Sequence, residues 1–307
     1  EQIRPRLVQV MRSALPAVER AAAGRVLAVL GDRREEVATL DGMEFCWVPP
    51  GRFRMGCDRG PEAEKPAHDL EIPYGYWMAR YPVTVAQFRA YVEESGVKPE
   101  DEDSLKGAPN GPVVWVSWHE AVAFCQWLTE RWRQAGRLPE GWSVRLPSEA
   151  EWEKAARGGV EVPKEAVVQR LSKGLEEVEP ELQTYPAPVR EYPWQGDFNP
   201  ELANSSETKL GATSAVGCFA GGVSPYGCEE MAGNVWEWTR SKLAKYPYKS
   251  NDAREDLAAE GVRVLRGGAF FYSLGNVRCA ARLRYSPDLR FRSIGFRVAS
   301  SSSSSGL

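Results

Sequence analysis

Arg263–Val298 reads RVLRGGAFFYSLGNVRCAARLRYSPDLRFRSIGFRV. Regular blocks (RVLRGG, NVRC, PD, IGFRV) alternate with short runs of Phe, Tyr, Ser, Leu, Arg, Ala and Gly. The runs are too aromatic for ordinary loops and too irregular for one face of a strand or helix. Lys, Glu, Gln, Met and Trp, all used elsewhere in the chain, are absent from the segment. The genetic code supplies a reason. An Asn codon has two adenines and a terminal pyrimidine, and replacing those adenines can give every residue in the runs but never the five missing ones. The competing explanation is chance composition in an Arg-rich strand–loop–strand tail.

Five more blocks precede the tail: FCWVPPGRFRMGC from Phe45, YWMARYPVTVAQF from Tyr76, VVWVSWHEAVAFCQWL from Val113, VRLPSEAEWEKAARGG from Val144 and SPYGCEEMAGNVWEWT from Ser224. In this order, from about Thr39 to Ala299, they resemble the formylglycine-generating enzyme (sulfatase-modifying factor) family, a branch of the C-type lectin fold. The tail resembles the variable region of diversity-generating retroelement variable proteins of the Thermus type. In those, adenine-directed mutagenic retrohoming rewrites a ligand-binding surface. The resemblance implies a loop-rich α+β fold with short antiparallel sheets and two main helices. It further implies a non-enzymatic protein that presents a changeable surface to a protein or other macromolecular ligand.

Composition sets wider bounds. The 307 residues suit one large domain with an ample core. A net charge of −3 argues against a nucleic-acid partner, although the Arg cluster of the tail could serve acidic ligands. No apolar run is long enough to span a membrane, and a monomer is expected. Six scattered cysteines without a CxxC pair, and only two histidines, argue against zinc. Read as buried free thiols, the cysteines weakly favour a cytoplasmic, reducing compartment; a signal upstream of Glu1 would not be visible.

Residues 1–38 read as a helical lead-in or linker, with Leu7, Val8, Met11, Leu15 and Val18 at helical spacing and Gly31-Asp32 as the stop. Residues 39–299 read as the lectin-like domain, with an insertion at 160–191, helix-prone in its centre, and the variable region at 263–298. The serine-rich 300–307 reads as a disordered tail. Met43 onward, broken by Pro49-Pro50-Gly51, reads as a β-hairpin. Ser117 with Glu120 and Ser148 with Glu151 each form a capping box that opens a helix; Thr84 with Gln87 forms a third. Antiparallel strands are expected at Arg263–Arg266 and Gly295–Val298.

The family resemblance also implies a calcium site. Glu230 and Glu237 would give side-chain oxygens, and Gly233 and Val235 carbonyls, the hard donors calcium prefers. The alternative is two hydrogen-bonded carboxylates with no ion. A second site would use Asn204 and Ser205, but its acidic position falls on Thr208. The family's oxidases hold copper on two cysteines shortly after the Gly-Gly of the last block. Here the first position falls near Tyr272 and the second between Leu274 and Val277, so the soft ligands for Cu(I) are missing. Neither copper nor iron is expected, since a related branch binds iron through three histidines and only His68 and His119 exist. The remaining candidate is a surface made by Phe270, Phe271, Tyr272, Ser273, Leu274, Leu283, Arg284, Tyr285, Ser286, Leu289, Phe291, Arg292 and Ser293. Aromatic and Arg side chains of this kind dominate binding hot spots. The alternatives are an oxidoreductase of the sulfatase-modifying type and a constant sensor or adaptor domain of a signalling protein.

Overall fold

The computed structural model describes residues 2–185, 190–249 and 251–302. Helices α1 (Ile3–Met11) and α2 (Ala17–Leu30) form a hairpin broken before Ala17 by Pro16, whose ring cannot continue a helix interior. The hairpin is not a linker. Met11, Ala17 and Leu27 pack against Ala215, Cys218 and Phe219, and the buried Arg20 guanidinium donates to the carbonyls of Cys218 and Glu201. Of the apolar residues expected to face inward, Leu15 and Val18 are exposed.

After the one-turn α3 (Glu35–Ala38), β1 (Glu44–Val48) and β2 (Gly51–Met55) follow in close succession but form no hairpin. Pro49 and Pro50 offer no N–H to a ladder, and Gly51 takes a left-handed φ of +124° that sends the chain into another sheet. There β2 pairs with β3 (His68–Ile72), while β4 (Tyr76–Ala79) returns antiparallel to β1. Helices α4 (Val85–Ser95), α5 (Trp118–Gln134) and α6 (Glu149–Arg157), with β5 (Trp142–Arg145) between the last two, start where their capping boxes place them. In each, the hydroxyl of Thr84, Ser117 or Ser148 accepts from the third helical N–H, and the residue there accepts in return.

The 160–191 segment contains no α-helix among its described residues. It supplies β6 (Glu161–Pro163), β7 (Val168–Arg170) and β8 (Leu182–Thr184), and β7 pairs with β1. An open sheet edge outweighs local helix propensity here. The C-terminal third adds β9 (Trp236–Lys242), β10 (Arg263–Arg266), β11 (Arg282–Tyr285), β12 (Ile294–Phe296) and β13 (Ala299–Ser302). A five-stranded sheet has the order β5-β13-β4-β1-β7, and a four-stranded sheet the order β11-β10-β9-β12.

As expected, β10 runs antiparallel to its neighbours, but β12 lies parallel to β9. Since β11 and β12 occupy opposite edges and point the same way, residues 286–293 must cross over the sheet from the end where β11 stops, level with Lys242, to the opposite end, where Ile294 pairs with Trp236. The serine tail is also corrected. Ser300 and Ser301 are buried, in the slot between β4 and β5, where both strands satisfy their backbone groups. Residues 303–307 lie outside the described part. Alternation along β1 divides the core: Phe45 and Trp47 join Trp77, Phe124, Trp132, Trp238 and Phe296 on one face. Cys46 and Val48 join Tyr76, Trp152 and Tyr226 on the other.

Candidate binding face

The two irregular runs meet. Arg292 lies over the rings of Phe270 and Phe271, 5.7 and 5.2 Å from their centroids, which ties the crossover to the run after Gly268. Phe271 also contacts Tyr272 at 4.7 Å. Tyr285, at the end of β11, neighbours Tyr272, and burial together with that neighbour pushes the Tyr272 phenol up. Phe271, Ser273, Leu274, Arg284, Tyr285, Ser286, Phe291 and Arg292 are exposed; Tyr272, Leu283 and Leu289 are half-buried and pack on the main core. Two expected members are not on the surface. Phe270 is 4 % exposed because its ring is covered by Phe271 and Arg292, and Ser293 is 1 % exposed because it leads directly into β12.

The scaffold grips these runs largely by their main chain. Phe270 N–H donates to the Asn234 carbonyl, Ser206 N–H to the Tyr272 carbonyl, Trp115 N–H to the Phe291 carbonyl and Trp236 N–H to the Ser293 carbonyl. Glu207 accepts from the Leu274 amide at 3.0 Å, and the Tyr192 hydroxyl donates to the Leu274 carbonyl. Such bonds hold the main chain of the runs and do not depend on the side chain carried there.

Fixed arginines pin the flanks. Arg266, immediately before Gly267-Gly268, pairs with Glu153, and Arg282, immediately before the second run, is bidentate to Glu149 at 2.7 Å through both contacts. Both carboxylates come from α6. After the runs, Arg297 forks onto Glu237 at 2.6 and 2.7 Å. The tail's arginines were read together as an acidic-ligand cluster, and this is corrected. Arg263, Arg266, Arg278 and Arg297 are buried, and Arg290 pairs with Glu100 and Glu120. Arg284 and Arg292 remain exposed without a carboxylate partner among the described residues. A period-based reading could not separate them, because the segment mixes strand and crossover; the sequence signal was their place, in the runs or in the blocks.

The residues proposed for calcium do not fit an ion. Both Glu237 oxygens face Arg297, and the Trp152 indole N–H donates to the same carboxylate at 2.6 Å. The Arg297 guanidinium also donates to the Glu230 carbonyl, so a cation already bridges these two residues. The Glu230 carboxylate accepts from the Gly217 amide and the Asn234 side chain; burial, with Glu229 adding to it, pushes its carboxyl up to about 8. The Gly233 carbonyl accepts from Val235 N–H. At the second position the Asn204 side-chain oxygen is buried without a partner among the described residues, but the Ser205 carbonyl is taken by Thr208 N–H and the Thr208 hydroxyl donates to the Ala203 carbonyl. Millimolar calcium is therefore expected to leave the thermal midpoint unchanged. A calcium-dependent rise that Glu230→Gln removes would show that the loop rearranges around an ion.

Thiols lie elsewhere. Cys279 is fully buried, Cys46 and Cys228 neighbour one another inside the second core cluster, and Cys57 is half-buried. His119 is largely exposed, with Asp288 3.5 Å away, and His68 accepts from the Tyr248 amide. No helix among the described residues is long and apolar enough to cross a membrane.

Comparison with known proteins fits this architecture. Bovine (Bos taurus) formylglycine-generating enzyme is 29 % identical over 308 residues, covering 82 % of this chain and 73 % of its own. The bovine inactive C-alpha-formylglycine-generating enzyme 2 is 27 % identical, covering 90 % and 94 %. Among solved structures, Treponema denticola variable protein 1 superposes with a TM-score of 0.59 at 20 % identity over 84 % of this chain and 94 % of that one, a likeness of fold. The fold is the α+β, C-type lectin-like one expected. Residues 32–302 match the sulfatase-modifying factor enzyme 1-like domain, and the chain belongs to that family.

Proposed function

We propose that this chain is a non-enzymatic ligand-binding protein whose irregular runs form a surface diversified by adenine-directed mutagenic retrohoming. The observation that carries the reading is the convergence of two separated runs on one exposed face whose main chain is held by scaffold groups. Exposed aromatics gathered this way are an aggregation liability unless binding uses them. The Treponema protein named as variable offers a precedent for such use of this fold. The ligand is a protein or other macromolecule. The missing thiol pair beside Tyr272 argues against oxidase chemistry, although relatives include both an enzyme and a protein named inactive.

Exchanging Phe271, Leu274, Arg284, Tyr285 and Phe291 for other residues reachable from an Asn codon should change which immobilised proteins are captured from a displayed library. Each exchange should cost no more than about 0.5 kcal/mol. The scaffold control is Gly268→Val: a Cβ there would lie 2.6 Å from the Val277 side chain and 2.7 Å from the Asn276 carbonyl, at φ +77°. Run variants that unfold as readily as this control would mean the residues are core and the reading is wrong. So would aldehyde formation above a no-protein control on a cysteine peptide supplied with Cu(I) and oxygen. An independent genomic test asks whether a near-copy of the tail's coding sequence, with adenines at the run positions, lies beside a reverse transcriptase.

A further inference from the structure

We propose that a second site, lined by none of the thirteen run residues, binds a small phosphoryl-type oxyanion of about pyrophosphate size. A cavity of about 360 Å³ is lined by five arginines, Arg54, Arg59, Arg157, Arg190 and Arg278, together with Cys57. That volume falls at the lower end of small-molecule sites. The arginines come from β2, the loop after it, the end of α6, the segment before Tyr192 and the block after the first run. Their guanidiniums thus converge from separate parts of the fold.

Three of the five have carboxylate partners. Arg54 pairs with Asp69 at 3.1 Å and Asp58 at 3.9 Å, Arg157 with Glu153 at 2.9 Å, and Arg278 with Glu64 at 2.8 Å and Glu191 at 3.8 Å. Arg59 and Arg190 have none among the described residues. Arg190 stacks 4.2 Å over Tyr185 and donates to the Pro193 carbonyl. The neighbouring 186–189, Pro-Ala-Pro-Val, carries no acid.

A second observation points to a ligand. Among the described residues, the Nε–H groups of Arg157, 2 % exposed, and Arg190 are buried without a hydrogen-bond partner. Buried donors of this kind ordinarily find an acceptor. A planar carboxylate takes one guanidinium fork in its own plane. A tetrahedral group spreads its oxygens in several directions and suits donors arriving from several sides. Asp58 and Glu191 on the wall hold their own arginines and leave the positive excess on Arg59 and Arg190.

Cys57 provides the reporter, since it lines the cavity and is half-buried while the other five cysteines are buried. Its alkylation by the neutral reagent iodoacetamide would be followed by peptide mass spectrometry. Sodium pyrophosphate, phosphate, sulfate and citrate would be compared with sodium chloride at equal ionic strength, which removes simple screening. At ten times its dissociation constant, measured by calorimetry, pyrophosphate should slow alkylation about tenfold by occupancy. Phosphate and sulfate should bind more weakly, and citrate weakest. Arg59→Gln, at an exposed position that does not endanger folding, and Arg190→Gln should each weaken pyrophosphate by roughly tenfold, the loss of one charge-assisted contact. Protection no greater than that of chloride overturns the proposal, as does equal affinity in wild type and Arg59→Gln. Citrate binding as tightly as pyrophosphate would replace it with a carboxylate site, and sulfate binding as tightly would overturn the phosphoryl assignment.

Discussion

Phe296→Ala is expected to lower the unfolding free energy by about 3–5 kcal/mol, the range for removing a buried aromatic ring. Phe296 sits in β12, fully buried, edge-on to Phe124 at 5.3 Å and to Phe88 at 6.5 Å, and its main chain pairs with Trp238 of β9. The strand itself does not depend on the ring, because its ladder and the bond from Val83 N–H to the Phe296 carbonyl are main-chain bonds. The loss is therefore mostly apolar contact plus the cavity left among Phe88, Phe124 and their neighbours. Urea denaturation measures it directly, and an unchanged slope would show that the two end states remain the same. Phe296→Leu should cost clearly less, since it keeps most of the volume. A loss below about 1 kcal/mol for the alanine variant would mean that the site collapses freely and is no rigid support for the neighbouring run.

How such a core could be anticipated differs from element to element. The three capped helices were readable because a Ser or Thr followed at the third position by Glu or Gln is a local device, complete within four residues. The strand signal from Met43 was equally local, but the hairpin expected with it does not form, since β1 pairs with β4 and β2 with β3. What escaped depends on partners distant in sequence. Ser300 to Ser302 are strand only because β4 and β5 leave a slot between them, and nothing in a run of six serines announces that. Within 160–191, β7 forms against the open edge of β1, while β6 and β8 pair with each other. The parallel direction of β12 follows from the crossover above it. At the candidate face, composition singled out the run positions, and of these only Phe270 and Ser293, at the run boundaries, are buried. The carboxylates that clamp the flanks were not anticipated as partners. Glu149 and Glu153 lie more than a hundred residues before Arg266 and Arg282, and charge pairing over that distance carries no periodic signal.

Glu237→Ala should be nearly as damaging, at about 3–5 kcal/mol, because it strands a buried cation. Arg297 is fully buried and directs two contacts to Glu237, with its remaining N–H groups on the carbonyls of Ala79, Arg80, Glu229 and Glu230. Removing the carboxylate deprives the guanidinium of its counter-charge and also takes the acceptor from the Trp152 indole N–H. The interaction can be separated from packing by a double-mutant cycle with Arg297→Met. Because the desolvation cost disappears with both charges, the double variant should regain a substantial part of the loss, leaving a coupling of roughly 0.5–3 kcal/mol. Additive effects would show that the two side chains act independently. The same cycle bears on the binding face. Arg297 follows directly after Phe296, and Glu237 pairs with Gly295 and Arg266 in the sheet that carries the runs. If the pair is a clamp for that sheet, Glu237→Ala should also raise hydrogen exchange at the amides of Phe270, Leu274 and Ile294, whereas exchange in α1 and α2, which pack on a separate cluster, should remain as in the unaltered protein.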